Sequence, residues 1–67
     1  MRFIKVDEDE WVNVDWIQEI KLFRQKESWC VQVRFVGNEF EDLREFKFTS
    51  ESTGRDKLNA LLSQVRK

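Results

Sequence analysis

The side chains of this chain that could do chemistry are carboxylates and one thiol: there are 13 Asp and Glu, one cysteine and no histidine. Without histidine, both the commonest general base and the commonest metal ligand are missing. Cys30 stands in the middle of "WCVQVRFV" with no base beside it in sequence, so it reads as a small side chain on a sheet face, not an activated nucleophile. The run Asp7 to Glu10, "DEDE", could hold a hard cation only if the chain folded back around it. It does not match a calcium loop: counted from Asp7, Val12 occupies the place that needs Gly and Gln18 the place that needs Glu. Mutual repulsion makes it a solvated turn or loop instead. Carboxylate pairs such as Glu8 with Glu10, or Glu39 with Glu41, sit in no apolar context that would separate their pKa values. Gly37 is isolated, so no phosphate-cradling loop exists. The expectation is a protein that is not an enzyme and takes no cofactor or metal.

Composition narrows the class further. A chain of 67 residues has room for a single domain, 1–67, with one small core. Its 40% hydrophobic and 37% charged residues, with two Gly and no Pro, describe a folded domain rich in regular elements. A formal net charge of -1 gives no global basic field for phosphate backbones or anionic lipid. A lone cysteine forms no internal disulfide, and neither a signal peptide, a membrane span nor an N-x-S/T sequon is found. A reducing, cytoplasmic setting without membrane attachment is expected.

Hydrophobic spacing then defines the elements. "RFIKV", residues 2–6, places Ile4 and Val6 on one face of a first strand. After the acidic run the chain reverses into Trp11 to Val14. Alternation breaks in "NVDWI", where Asn13 and Asp15 favour local hydrogen bonds over a ladder; one helical or 3₁₀ turn there lets Val14 and Ile17 both face inward. A new strand over about 18–24 carries Ile20 and Leu22, and the polar "RQKES", residues 24–28, makes a hairpin loop. The clearest strand follows, with Trp29, Val31, Val33 and Phe35 on one face and Cys30, Gln32 and Arg34 on the other. Gly37-Asn38 offers a two-residue turn in which Gly takes a positive φ. Phe40, Phe46 and Phe48 keep even parity while Leu43 breaks it, which predicts a bulge within 41–44 and a last strand near 45–49. In the tail, Leu58, Leu61, Leu62 and Val65 form a helical stripe, with Thr53 and Asp56 as a capping box and Arg66 and Lys67 at the negative end of the dipole.

The fold expected is α+β: an antiparallel sheet of four to five short strands with one C-terminal helix on one face. One helix cannot cover all of that sheet's apolar area, and Trp11, Trp16 and Trp29 are a surplus. They either pack at the sheet margins of a monomer or form an interaction surface, including that of a homodimer, together with Arg34. Sheet aromatics interleaved with Arg34, Arg44 and Lys47 give a nucleic-acid reading, in which bases would stack on the rings. Glu39, Glu41, Asp42 and Glu45, scattered among those cations, make nucleic acid an unfavoured partner.

"FIKV" followed by "WVNVDWIQEIKL" resembles a pattern found in small bacterial and phage proteins, including the flagellar FlbD type: a first strand, an aromatic-apolar-Asn-x-Asp-x-Ile-x-x-Ile stretch, a strand pair and a C-terminal helix. The match covers about residues 3–23 and the helical tail. It departs from that type at "DEDE" and in a longer, Phe-rich middle. The resemblance implies a small accessory or interaction protein with no catalytic residues to transfer. The expectation is a non-enzymatic protein-binding or self-associating module, with a single-stranded nucleic-acid binder as the alternative.

Overall fold

The computed structural model describes residues 2–66. Strands β1 (Phe3–Asp7) and β2 (Glu10–Asn13) lead through a 3₁₀ turn (Val14–Trp16) to β3 (Ile17–Gln25), β4 (Ser28–Val36), β5 (Glu41–Phe48) and helix α1 (Glu51–Val65). The class is α+β, with five strands divided between a two-stranded sheet, β1-β2, and a three-stranded sheet, β3-β4-β5, both antiparallel.

The division into two sheets follows from the phase break. Asn13 is buried at the head of the 3₁₀ turn, and its side-chain oxygen accepts the Asp15 N–H at 3.0 Å. That bond replaces a ladder contact and turns the chain out of the first sheet, while Val14 and Ile17 both pack on the core. A register shift between Ile17 and Glu19 then lets β3 align with β4.

Along β4 the inner row is Trp29, Val31, Val33 and Phe35. Opposite them stand Arg24, Leu22 and Ile20 of β3, and Phe48, Phe46, Arg44 and Asp42 of β5. Two elements cover this row. The β1-β2 ribbon contributes Ile4, Val6 and Val12, and α1 contributes Leu61, so that one core joins both sheets and the helix. Gly54 lets α1 approach the sheet closely: a Cβ there would lie 2.9 Å from Leu22 Cδ1. The free edge of β1 is covered by α1. The Gln64 side-chain amide accepts from Lys5 N–H and donates to Lys5 C=O, both at 3.0 Å, as a neighbouring strand would. Lys57 donates to the Val6 carbonyl, and Arg2 reaches back to the Gln64 and Val65 carbonyls.

Five local expectations are corrected. Asp7 and Glu10 belong to the strands and pair with each other, so only Glu8 and Asp9 make the turn. The β3–β4 connection shrinks to Lys26 and Glu27, with Lys26 at φ 57 in the left-handed region. No glycine has positive φ; Gly37–Phe40 form a four-residue loop closed by Gly37 N–H donating to Phe40 C=O at 2.9 Å. Strand β5 is unbroken from Glu41, and Leu43 breaks parity because it faces solvent opposite Arg34. The helix also begins earlier than its apolar stripe indicates. Ser50 is the N-cap, accepting the Thr53 N–H at 3.3 Å, so Thr53 sits inside the first turn. Lys67 lies outside the described residues.

Leu61 is 1% exposed and bridges the helix to both sheets. Leu61→Ala should lower the unfolding free energy by about 2–5 kcal/mol, read as a drop in the urea midpoint; a loss well under 1 kcal/mol would show that α1 is not part of the core.

Candidate functional site

The inner row of the three-stranded sheet is packed by α1 at the Trp29 end, and at the other end a surface cleft lies beside the buried Phe35. There the register brings Arg44 and Asp42 of β5 beside Phe35. The 3₁₀ turn delivers Trp16, the Gly37–Phe40 loop delivers Phe40, and the start of β2 delivers Glu10 and Trp11. Together these residues line a cleft of about 190 Å³. Trp16 and Phe40 pack edge to face, 5.1 Å between centroids. Three of the cleft's rings are well exposed, Trp11 at 60%, Trp16 at 40% and Phe40 at 45%, which is a large apolar area to leave in water on so small a chain.

Gly37 makes this arrangement possible through space rather than through backbone freedom. The Phe40 ring lies directly on it, and a Cβ would fall 1.9 Å from Phe40 Cε1. Any larger residue must displace the ring.

Charge at the cleft is organised around Arg44. Its Nε lies 3.0 and 2.9 Å from the two Glu10 carboxylate oxygens, Nη2 lies 2.9 Å from Glu10 Oε2, and Nη1 lies 2.6 Å from Asp42 Oδ2. The guanidinium carbon stands 5.7 Å from the Phe35 ring centroid. The hydrogen bonds to Glu10, and then to Asp42, push the Arg44 pKa further up. The Arg44 hydrogen bond, helped by the Leu43 N–H, holds the Asp42 carboxyl below the usual carboxylate range. The site is thus an aromatic cleft in which a cation is already clasped between two carboxylates and a ring.

The residues singled out in the sequence divide. Trp11 and Trp16 meet at the cleft. Trp29 lies at the other end of β4, about 20 Å away at 3.3 Å per residue; it is half-buried against Phe48 and the α1 Gly54. Arg34 is on the opposite sheet face, paired with Glu41 at 3.2 Å. That face is a mixed charged surface, with Lys21, Gln32 and Glu45 in one cross-strand row and Phe23, Cys30 and Lys47 in the next. Phe35, Phe40, Glu10, Asp42 and Arg44 were not marked as one site. The available signal was that the exposed aromatics adjoin carboxylates in sequence: Glu10-Trp11, Asp15-Trp16 and Glu39-Phe40-Glu41-Asp42.

Other features of the surface serve the fold or stand open to solvent. A larger, shallower groove of about 420 Å³ runs between β1-β2 and α1; of its polar side chains, Lys57 and Gln64 are spent on β1 main chain, and Lys5, Asp7 and Glu8 are exposed to solvent. The acidic turn lies open to solvent, and no group of three or more His, Cys, Asp or Glu is placed to hold a metal ion among the described residues. No helix among them is long and apolar enough to cross a membrane. Cys30 is fully buried, and its thiol donates to Glu45 Oε2 at 3.7 Å. Burial first, and the Glu45 charge second, push the thiol pKa up, which disfavours the thiolate a nucleophile requires.

Gly37→Ala should displace the Phe40 ring with little loss of stability, because the clash is with the far end of an exposed side chain, and the displacement should be seen as changed ring-current shifts on the Trp16 indole protons; unchanged shifts would place Phe40 elsewhere. Cys30 should resist iodoacetamide in the native state and become reactive in step with urea unfolding. Because its pKa is raised on folding, Cys30 stabilises the fold fully below the unfolded thiol pKa, about 8.5. That contribution is lost as pH rises towards the folded value. Unfolding midpoints at pH 7 and pH 10 for wild type and Cys30→Ala test the sign: the wild type should lose more over that interval. The chain matches no family model, no curated protein and no solved structure at a significant level.

Proposed function

We propose that the chain is a non-enzymatic protein-interaction module and that the cleft between Trp11, Trp16 and Phe40 is its docking surface. The observation that carries this is the exposure of three large rings around one cleft, next to an arginine held in place by two carboxylates. Binding hot spots have this composition: Trp and Arg at the centre, polar groups at the rim. The cleft is smaller than the about 300–1,000 Å³ typical of small-molecule sites, so it has room for a partner's side chain more than for a cofactor. The other side of the module, the outer face of β3-β4-β5, is charged with both signs, as suits a surface facing water.

The nucleic-acid alternative requires phosphates to approach these rings. Glu10 and Asp42 stand among them, while Arg44 is already paired with both and Arg34 is paired with Glu41 on the other sheet face. That charge pattern favours a protein partner.

Panning a displayed random-peptide library against the folded protein tests the proposal. Peptides should be enriched on the wild type, and Trp16→Ala should weaken the selected ones by at least about 30-fold, the equivalent of a 2 kcal/mol hot spot. Enrichment that survives Trp16→Ala and Phe40→Ala, or no enrichment at all, would overturn the assignment of this cleft. Sedimentation equilibrium on the same variants identifies the partner class: a wild-type dimer that Trp16→Ala dissociates would make the partner a second copy of the chain.

A further inference from the structure

Resting on the docking role just proposed, we infer that the cleft accepts a lysine or arginine side chain from a basic segment of the partner. Three observations combine. First, each exposed ring of the cleft is next in sequence to a carboxylate, through Glu10, Asp15 and Glu39. The cleft wall holds Glu10 and Asp42 against Arg44, with Lys5 at the rim beside Trp11. The adjoining turn adds Asp7, Glu8 and Asp9, all exposed. An acidic aromatic surface of this kind attracts cations and repels phosphates and acidic peptides.

Second, the cleft already displays the binding mode. Arg44 lies 5.7 Å from the Phe35 centroid while two carboxylates clasp its edge. At the same rim, Lys5 lies 6.0 Å from the Trp11 centroid. A guanidinium or ammonium entering the cleft beside Trp11 and the Trp16–Phe40 pair would meet the same combination of ring and carboxylate, with Glu10 and Asp42 in the cleft wall, and Trp is the strongest of the aromatic partners for a cation. Third, the roughly 190 Å³ of space suits one extended side chain, whose methylenes would lie along the rings while its charged end reaches the carboxylates.

The experiment is a fluorescence titration with three blocked heptapeptides of alternating alanine and a second residue: arginine, its neutral isostere citrulline, or glutamate. Trp11 and Trp16 both line the cleft, so Trp11 still reports binding in the Trp16 variants. The arginine peptide should bind at least tenfold tighter than the citrulline peptide at low salt, and the glutamate peptide should not bind. Trp16→Ala and Asp42→Asn should each weaken the arginine peptide about tenfold. Trp16→Phe, which keeps a ring and guards against a folding artefact, should restore most of the loss. Equal affinity for arginine and citrulline peptides would overturn the cationic assignment while leaving the docking role intact. Arginine binding unaffected by Trp16→Ala would also overturn it, as charge attraction without the cleft. No binding by any heptapeptide, alongside cleft-dependent enrichment of neutral displayed peptides, would do the same. No heptapeptide binding and no enrichment would overturn both.

Discussion

The inner face of β4 has to be kept dry, and no single element in the chain is large enough to do it. Val31, Val33 and Phe35 are almost wholly buried, yet α1 alone reaches only part of that row. The β1-β2 ribbon supplies the remaining cover with Ile4, Val6 and Val12. For the ribbon to lie across the sheet instead of extending it, the chain must leave one ladder and enter another within a few residues. The Asn13 cap and the 3₁₀ turn do this. With a core of this size, each buried side chain carries a large share of a small net stability.

Covering one face with two unlike elements leaves a seam, and the cleft is the open end of that seam. The helix seals the Trp29 end, where Gly54 lets it sit close. At the Phe35 end there is only a ribbon, a 3₁₀ turn and a four-residue loop. Rings contributed by these irregular connections cannot all turn inward, because the inward positions are already held by Phe35, Val33 and Ile17. The aromatic surface is therefore tied to the architecture. The same turn that redirects the chain presents Trp16, and the loop that closes β4 onto β5 presents Phe40.

The elements with strong periodicity were legible in the sequence: the alternation of β4, the stripe of α1 and the phase break at Asn13. Misreadings occurred where one residue type served a different purpose. Leu43 looked like a bulge because an outward-facing leucine has the same appearance in sequence as an inward-facing one out of phase. Gly37 looked like a positive-φ turn residue, whereas its lack of a side chain makes room for Phe40. Ser50 was overlooked as the N-cap because the apolar stripe starts only at Leu58, well inside the helix. Of the cleft, Trp11 and Trp16 could be singled out as surplus rings. The pairing of Arg44 with Glu10 spans 34 residues and depends on which sheet face each strand presents, which no local pattern encodes.

Arg44 also bears on how the cleft would trade one partner for another. Its side chain is 38% exposed, and the Glu10 and Asp42 side chains are 32% and 55% exposed, so water screens the clasp. Ion pairs with that degree of exposure contribute on the order of 1 kcal/mol or less. A fully buried clasp would fix Glu10 and Asp42 on Arg44, because leaving a buried charge unpaired costs several kcal/mol. At this exposure each carboxylate keeps acceptor positions open to solvent and can share them at little cost. Arg44 then orients the carboxylates without consuming them, and the proposed incoming cation replaces water at the rim, leaving the internal ion pair in place.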